Sequence, residues 1–144
     1  MATSYLTVVE SFLDEIDDYK MLNYSDQEIV NNAFGYMRAA CAEFDRVCLI
    51  DLSDRDDILF HFNNDLDDEV IKIIVKGMVV EWLKPQLYKA DAMHNLMNLK
   101  DATFFAPQQI MSQKRGLYND AVDAFKNAIN DYSYNHADLG DLSL

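Results

Sequence analysis

The chain has 144 residues, is 50% hydrophobic and 12% aromatic, and carries 25 acidic against 12 basic residues for a formal net charge of -13. That length supports one domain with a substantial core and is short for two, and Gly 4 and Pro 2 are too few for the regular tight turns of a sandwich or barrel. The charge excludes a nucleic-acid binder that grips phosphates, and it is lopsided: residues 1–69 hold 17 acids against Lys20, Arg38, Arg46 and Arg55, whereas residues 70–144 balance 8 acids with 8 bases.

The first ten residues lack the basic stretch and long apolar run of a secretory signal, so a soluble intracellular product is expected. Ser4 is a plausible N-cap for a first helix in which Tyr5, Val8, Val9, Phe12, Ile16 and Tyr19 recur at spacings of three and four. Its other face is acidic, through Glu10, Asp14, Asp17 and Asp18. A second helix opens on the capping box from Ser25 to Glu28 and continues through Ile29, Ala33, Tyr36, Met37, Ala40 and Phe44. The small residues Ala33, Gly35, Ala39, Ala40 and Ala42 along it permit a close neighbour.

From Arg46 to Asn64 the helical period fails, and the apolar runs Cys48 to Leu52 and Ile58 to Phe62 suggest either a short hairpin or an irregular loop. Cys41 and Cys48 are not spaced as a redox or zinc pair and read as reduced thiols in a reducing compartment. A third helix is expected from near Asp67, where Asp68 and Glu69 suit the partial positive charge of a first turn. Its almost continuous apolar run from Val70 to Leu83 marks the central core helix, with Trp82 as an anchor beside Val79 and Met78. The same run, interrupted by Lys72, Lys76 and Glu81, is too short to span a membrane.

Pro85 should end or kink this helix, leaving a second piece from Gln86 to Leu99 at an angle. A fourth helix, with Pro107 in its first turn, carries Ile110, Leu117, Ala121, Phe125, Ala128 and Tyr132 on one stripe. The expected fold is thus all-α, a bundle of about four main helices over residues 1–132 with a possible short β-hairpin between helices 2 and 3. Residues 133–144 form a polar tail or docking arm. Together with Tyr132 at its root, Tyr134, Leu139, Leu142 and Leu144 are the apolar side chains with which such a tail would bind a partner.

Chemistry has no foothold in this pattern. The acids between Asp51 and Asp68 lack the alternating oxygens and central glycine of a calcium loop, and His61, His94 and His136 share no ligand spacing. Glu10, Asp14 and Asp18 are one turn apart, but the Glu-x-x-His partners of a di-metal carboxylate bundle do not occur. Phosphate loops and nucleophile elbows do not occur either. No enzyme activity, cofactor or metal is expected, and the aromatic residues sit among apolar positions rather than basic ones, as core residues do.

In Phe62 to Ile71, Met78 to Leu87, Asn98 to Asp101 and Phe104 to Pro107, the chain resembles the head-to-tail connector, or neck adaptor, proteins of tailed phages. The resemblance spans roughly residues 60–135. It implies a structural protein of the virion neck, assembled in the host cytoplasm as a homo-oligomeric, usually dodecameric, ring. It also implies contacts with the portal protein and the next neck or tail protein, and DNA passing through the lumen without specific binding or a membrane being involved. The acids Glu10, Asp14, Asp17 and Asp18 would then serve as a DNA-repelling face, since carboxylates let a duplex slide where lysines would hold it. A ring needs two different surfaces on each subunit, which the acidic and neutral halves could supply. The alternative is an acidic DNA mimic, or a helical regulatory protein, that binds a host or phage protein; it would act as a monomer or dimer.

Overall fold

The computed structural model describes the backbone of residues 2–16, 26–100 and 105–136, and the side chains of 2–16, 32–85, 87 and 112–136. Four helices account for most of it: α1 (Tyr5–Ile16), α2 (Asp26–Phe44), α3 (Asp68–Lys100) and α4 (Phe105–Asn135). Three two-residue strands, β1 (Thr3–Ser4), β2 (Arg55–Asp56) and β3 (His61–Phe62), form an antiparallel sheet in the order β1-β3-β2. The all-α bundle is the architecture that the periodicity predicts; of the hairpin and the irregular loop left open between the second and third helices the hairpin forms, joined by β1 as a third strand.

Helix α1 buries Tyr5, Val8, Val9, Phe12 and Ile16, and Ser4 Oγ accepts the Leu6 N–H at 3.2 Å as an N-cap does. Tyr19 and the capping box from Ser25 to Glu28 lie outside the described side chains. In α2 the buried row is Ala33, Met37, Ala40, Cys41 and Phe44, with Tyr36 half-buried. Of the small residues expected to admit a neighbour, Ala33 and Ala40 do so, while Gly35, Ala39 and Ala42 are exposed on the opposite side.

Helix α3 begins where its acids predict. Asp67 Oδ1 accepts the Val70 N–H at 2.9 Å, and the Asp67 carbonyl accepts that of Ile71 at 3.1 Å. From Val70 to Leu83 nearly every apolar side chain is buried, because α1, α2 and α4 all pack around this stretch. Trp82 is 3% exposed and meets the Phe12 ring edge-on at 6.3 Å. Gly77 lies where three helices converge: a Cβ there would fall 2.6 Å from both Ala40 Cβ and Phe125 Cζ. Gly77 therefore permits the close approach of α2 and α4.

Three expectations need correction. Pro85 does not end the helix, the first of the two alternatives expected for it; α3 continues through it to Lys100 for a total of 33 residues. The Pro85 ring is exposed, and by lacking an N–H it leaves the Glu81 carbonyl without its usual helical donor. The first hairpin strand is not Cys48 to Leu52 but Arg55–Asp56. The earlier segment turns because side chains take its N–H groups: Asp45 accepts that of Leu52 at 3.0 Å and Tyr132 that of Leu49 at 3.3 Å. The third correction concerns Tyr132, which is 2% exposed and belongs to the core, because α4 runs on to Asn135 and carries it against Phe44.

Pro107 lies in the first turn of α4, whose amides have no helical acceptor, as expected. Helix α4 is 31 residues long; it buries Ala121, Phe125 and Tyr132 and half-buries Leu117 and Ala128. Contacts of Gly77 with Phe125 and of Glu69 with His136 show α3 and α4 running antiparallel. Ile110 lies outside the described side chains. Among the described residues, no helix is long and apolar enough to cross a membrane.

Candidate interaction surfaces

The turn between β2 and β3 is built from its own side chains. Asp56 Oδ1 accepts the N–H groups of Ile58 at 2.8 Å and Leu59 at 3.0 Å, and these two bonds hold its carboxyl below the usual carboxylate range. Asp57 Oδ1 accepts the Tyr5 hydroxyl at 2.7 Å and lies 3.8 Å from Arg38 and 3.9 Å from Arg55. Burial, and next the bond to Asp57, push the Tyr5 hydroxyl up to about 12.

Phe60 closes the turn at φ 58°, in the left-handed region that bulky residues avoid at a cost of about 1–2 kcal/mol. Two contacts hold it there. Its carbonyl accepts the Tyr5 N–H at 2.9 Å, and its ring stacks on Phe34 with centroids 5.3 Å apart. The result is a fixed turn whose apolar side chains face solvent: Ile58 is 85% exposed, Leu59 66% and, next to Tyr5, Leu6 60%. Apolar groups displayed on a braced turn, with local strain held by the surroundings, form a surface suited to protein contact.

A second feature is a groove of about 340 Å³ between α1 and α3. Its apolar floor is Ile71 and Val75; Lys72 and Lys76 line the α3 side, and Ser11, Asp14 and Glu15 the α1 side. One wall is thus basic and the other acidic, with buried aliphatic surface between them. The groove and the hairpin turn share no residue.

At the end where α4 finishes, Tyr132 packs edge-on to Phe44 at 5.0 Å, and its hydroxyl accepts the Leu49 N–H and lies 3.9 Å from Cys48 Sγ. His136 stacks on Tyr132 at 4.2 Å and reaches Glu69 Oε2 at 3.0 Å, tying the last turn of α4 to the first turn of α3. Both cysteines are free thiols. Burial pushes Cys41 up to about 12 and raises Cys48 as well, which disfavours the reactive thiolate of each.

The residues singled out from the sequence do not converge on one place. Tyr132 is core, Tyr134 is 81% exposed, and Leu139, Leu142 and Leu144 lie outside the described residues. Glu10 and Asp14 are exposed on α1, while Asp17 and Asp18 lie outside the described residues. Among the described residues no three His, Cys, Asp or Glu side chains are grouped to hold a metal ion. The surface that sequence reasoning missed is the turn from Ile58 to Phe60. Its signal was present as three successive apolar residues after the polar run from Ser53 to Asp57, but they read as strand interior. Compared with protein-family models, curated proteins and solved structures, the chain matches none.

Proposed function

We propose that this chain is a structural protein of a tailed-phage neck, assembling as a homo-oligomeric ring between portal and tail through which DNA passes. The observation that carries the reading is the braced apolar turn at Ile58 and Leu59, a surface whose solvent exposure is unfavourable in a monomer and useful in an assembly. The resemblance of residues 60–135 to neck adaptors supplies the kind of assembly. The charge distribution fits it, since an acidic first half presents carboxylates to a passing duplex and a balanced second half can adjoin other subunits. In this reading Glu10, Asp14, Asp17 and Asp18 face the channel, and Tyr134 with the leucines beyond it reaches toward the portal or an adjacent ring.

The test is the mass of the purified protein in solution and its position in particles. A closed oligomer, labelled in the neck and lacking measurable affinity for duplex DNA at 50 mM salt, is the expected result. A stable monomer that occupies the DNA site of a nucleic-acid enzyme would replace this reading with the mimic.

A further inference from the structure

Among the described residues, one buried side-chain polar atom lacks a hydrogen-bond partner: Nδ1 of His61. Such atoms are uncommon in folded chains, and each calls for a physical reason. The surroundings of this one follow from strand register. Ser4 on β1 and Asp56 on β2 stand directly opposite His61, while Thr3 and Arg55 stand opposite Phe62. Opposed residues share a face of the sheet and successive ones alternate, so Ser4, His61 and Asp56 form one row, turned away from the face on which Thr3 and Phe62 are buried. In that row Ser4 Oγ accepts the Leu6 amide, and Asp56 Oδ1 accepts those of Ile58 and Leu59. The carboxylate that caps the exposed turn is thus the cross-strand neighbour of an imidazole with an unpaired nitrogen. We propose that His61 is a proton-operated latch on this turn: charged, it donates from Nδ1 to the Asp56 carboxylate and fixes the cap; neutral, it leaves the cap without that support.

Histidine ordinarily changes charge between pH 5 and 8. In the neutral form its single proton can stay on Nε2, leaving Nδ1 as a bare lone pair, which is the state an unpartnered Nδ1 fits. The charged form carries a second N–H and needs an acceptor. Asp56 supplies it, because the Leu59 and Ile58 amides hold its carboxyl below the usual carboxylate range, with His61 acting in the same direction, and it stays ionised throughout. The neighbouring charges are engaged elsewhere. Asp54 accepts Asn63 Nδ2 at 2.8 Å, and Asp57 takes the Tyr5 hydroxyl and sits beside Arg38 and Arg55. The latch contributes only where His61 is charged, so its contribution is present in acid and is lost as pH rises.

The experiment is amide hydrogen exchange on the full chain at pH 5.5 and 7.5, each rate divided by that of an unfolded chain at the same pH. The Ile58 and Leu59 amides of the wild type are expected to be about fivefold better protected at pH 5.5, the upper end for an ion pair that water still reaches. His61→Gln and Asp56→Asn are expected to show no such difference. Asparagine keeps an oxygen for the two amides, so the turn survives while the charge is lost. The ring-nitrogen shifts of His61 in the wild type give a reading that needs no variant, with the Nε2–H tautomer expected at pH 7.5.

Equal protection at both pH values in the wild type overturns the latch, and so does an undiminished difference in His61→Gln. A proton on Nδ1 at pH 7.5 also overturns it, since that nitrogen would then be a donor already in the neutral ring. Repeating the exchange at two protein concentrations separates the latch from self-association. Protection that follows concentration and not acidity reports a contact between copies, which overturns the latch and leaves the ring reading standing. Every readout lies within one chain, so a protein that is monomeric in solution and in particles would overturn the ring and leave the latch in place.

Discussion

Gly77 shows how little slack the core has. Replacing it with alanine would gain about 1 kcal/mol of helix propensity, yet the new methyl would meet Ala40 Cβ, which is fixed to the α2 backbone and cannot swing away as the Phe125 ring can. Overpacking of this kind costs about 1–3 kcal/mol, so Gly77→Ala should lower the urea midpoint, and adding Ala40→Gly should restore part of the loss. Burial acts on titration as well. Tyr5 and Cys41 both ionise near 12 in the folded chain, against ordinary values of 10.0 and 9.0. Their stabilising contribution is complete below pH 9 and declines as pH rises from 9 toward 12, because the unfolded chain ionises first. Chemical denaturation between pH 7 and 11 should show this decline, with a smaller slope in Cys41→Ala or Tyr5→Phe. The same burial should leave Cys41 unreactive toward a thiol reagent at pH 8 until the protein is unfolded.

At the scale of the element, α3 supports a prediction that runs against the usual expectation for a proline. With its ring exposed and its helix uninterrupted, Pro85 supplies no buried contact that alanine would lose. Pro85→Ala should therefore stabilise α3 by about 1–3 kcal/mol, seen as a higher melting temperature. In the same helix, Trp82→Ala should cost about 3–5 kcal/mol, since the indole is enclosed and packed against Phe12. Helices α1 and α3 are legible in the sequence because their apolar spacing and their caps, Ser4 and Asp67, agree. The segment 45–67 is not, because its path depends on partners far along the chain. Tyr132 takes the Leu49 amide and Thr3 Oγ1 that of Leu66, pairings that no local pattern announces. The exposed apolar turn is hidden for the same reason. Ile58 and Leu59 face outward only because Asp56 caps the turn and Phe60 is held left-handed by Phe34 and Tyr5.

For the whole molecule, the position of Tyr132 sets where an arm can begin. A deletion starting at residue 133 would remove the end of α4 and His136, whose ring covers Tyr132 and reaches Glu69. Removing only residues 137–144 should leave the melting temperature almost unchanged; if those residues dock on the portal or a neighbouring ring, incorporation into particles should fall away. Normal incorporation of that truncated chain would show that the bundle itself makes the contacts. Because the bundle carries its net charge in the first half, assembly on the proposed ring reading should strengthen as salt screens the acidic halves between 50 and 200 mM. Sedimentation across that range checks this.

The pairing of Thr3 with Phe62, sealed by the Tyr5 amide on the Phe60 carbonyl, carries a consequence for timing. The antiparallel α3–α4 unit and the β2–β3 hairpin can form from neighbouring sequence, whereas β1 must close a loop through α1 and α2 before it reaches β3, and such closures are entropically delayed. The turn at Phe60 is therefore expected to lock late in folding, with the hairpin loose until β1 docks. On the ring reading proposed above, self-association would then be confined to finished subunits, a kinetic checkpoint written into the order of strand pairing. Weakening that closure with Thr3→Pro should slow the appearance of assembly more than the appearance of helix, as stopped-flow circular dichroism and light scattering recorded together would reveal.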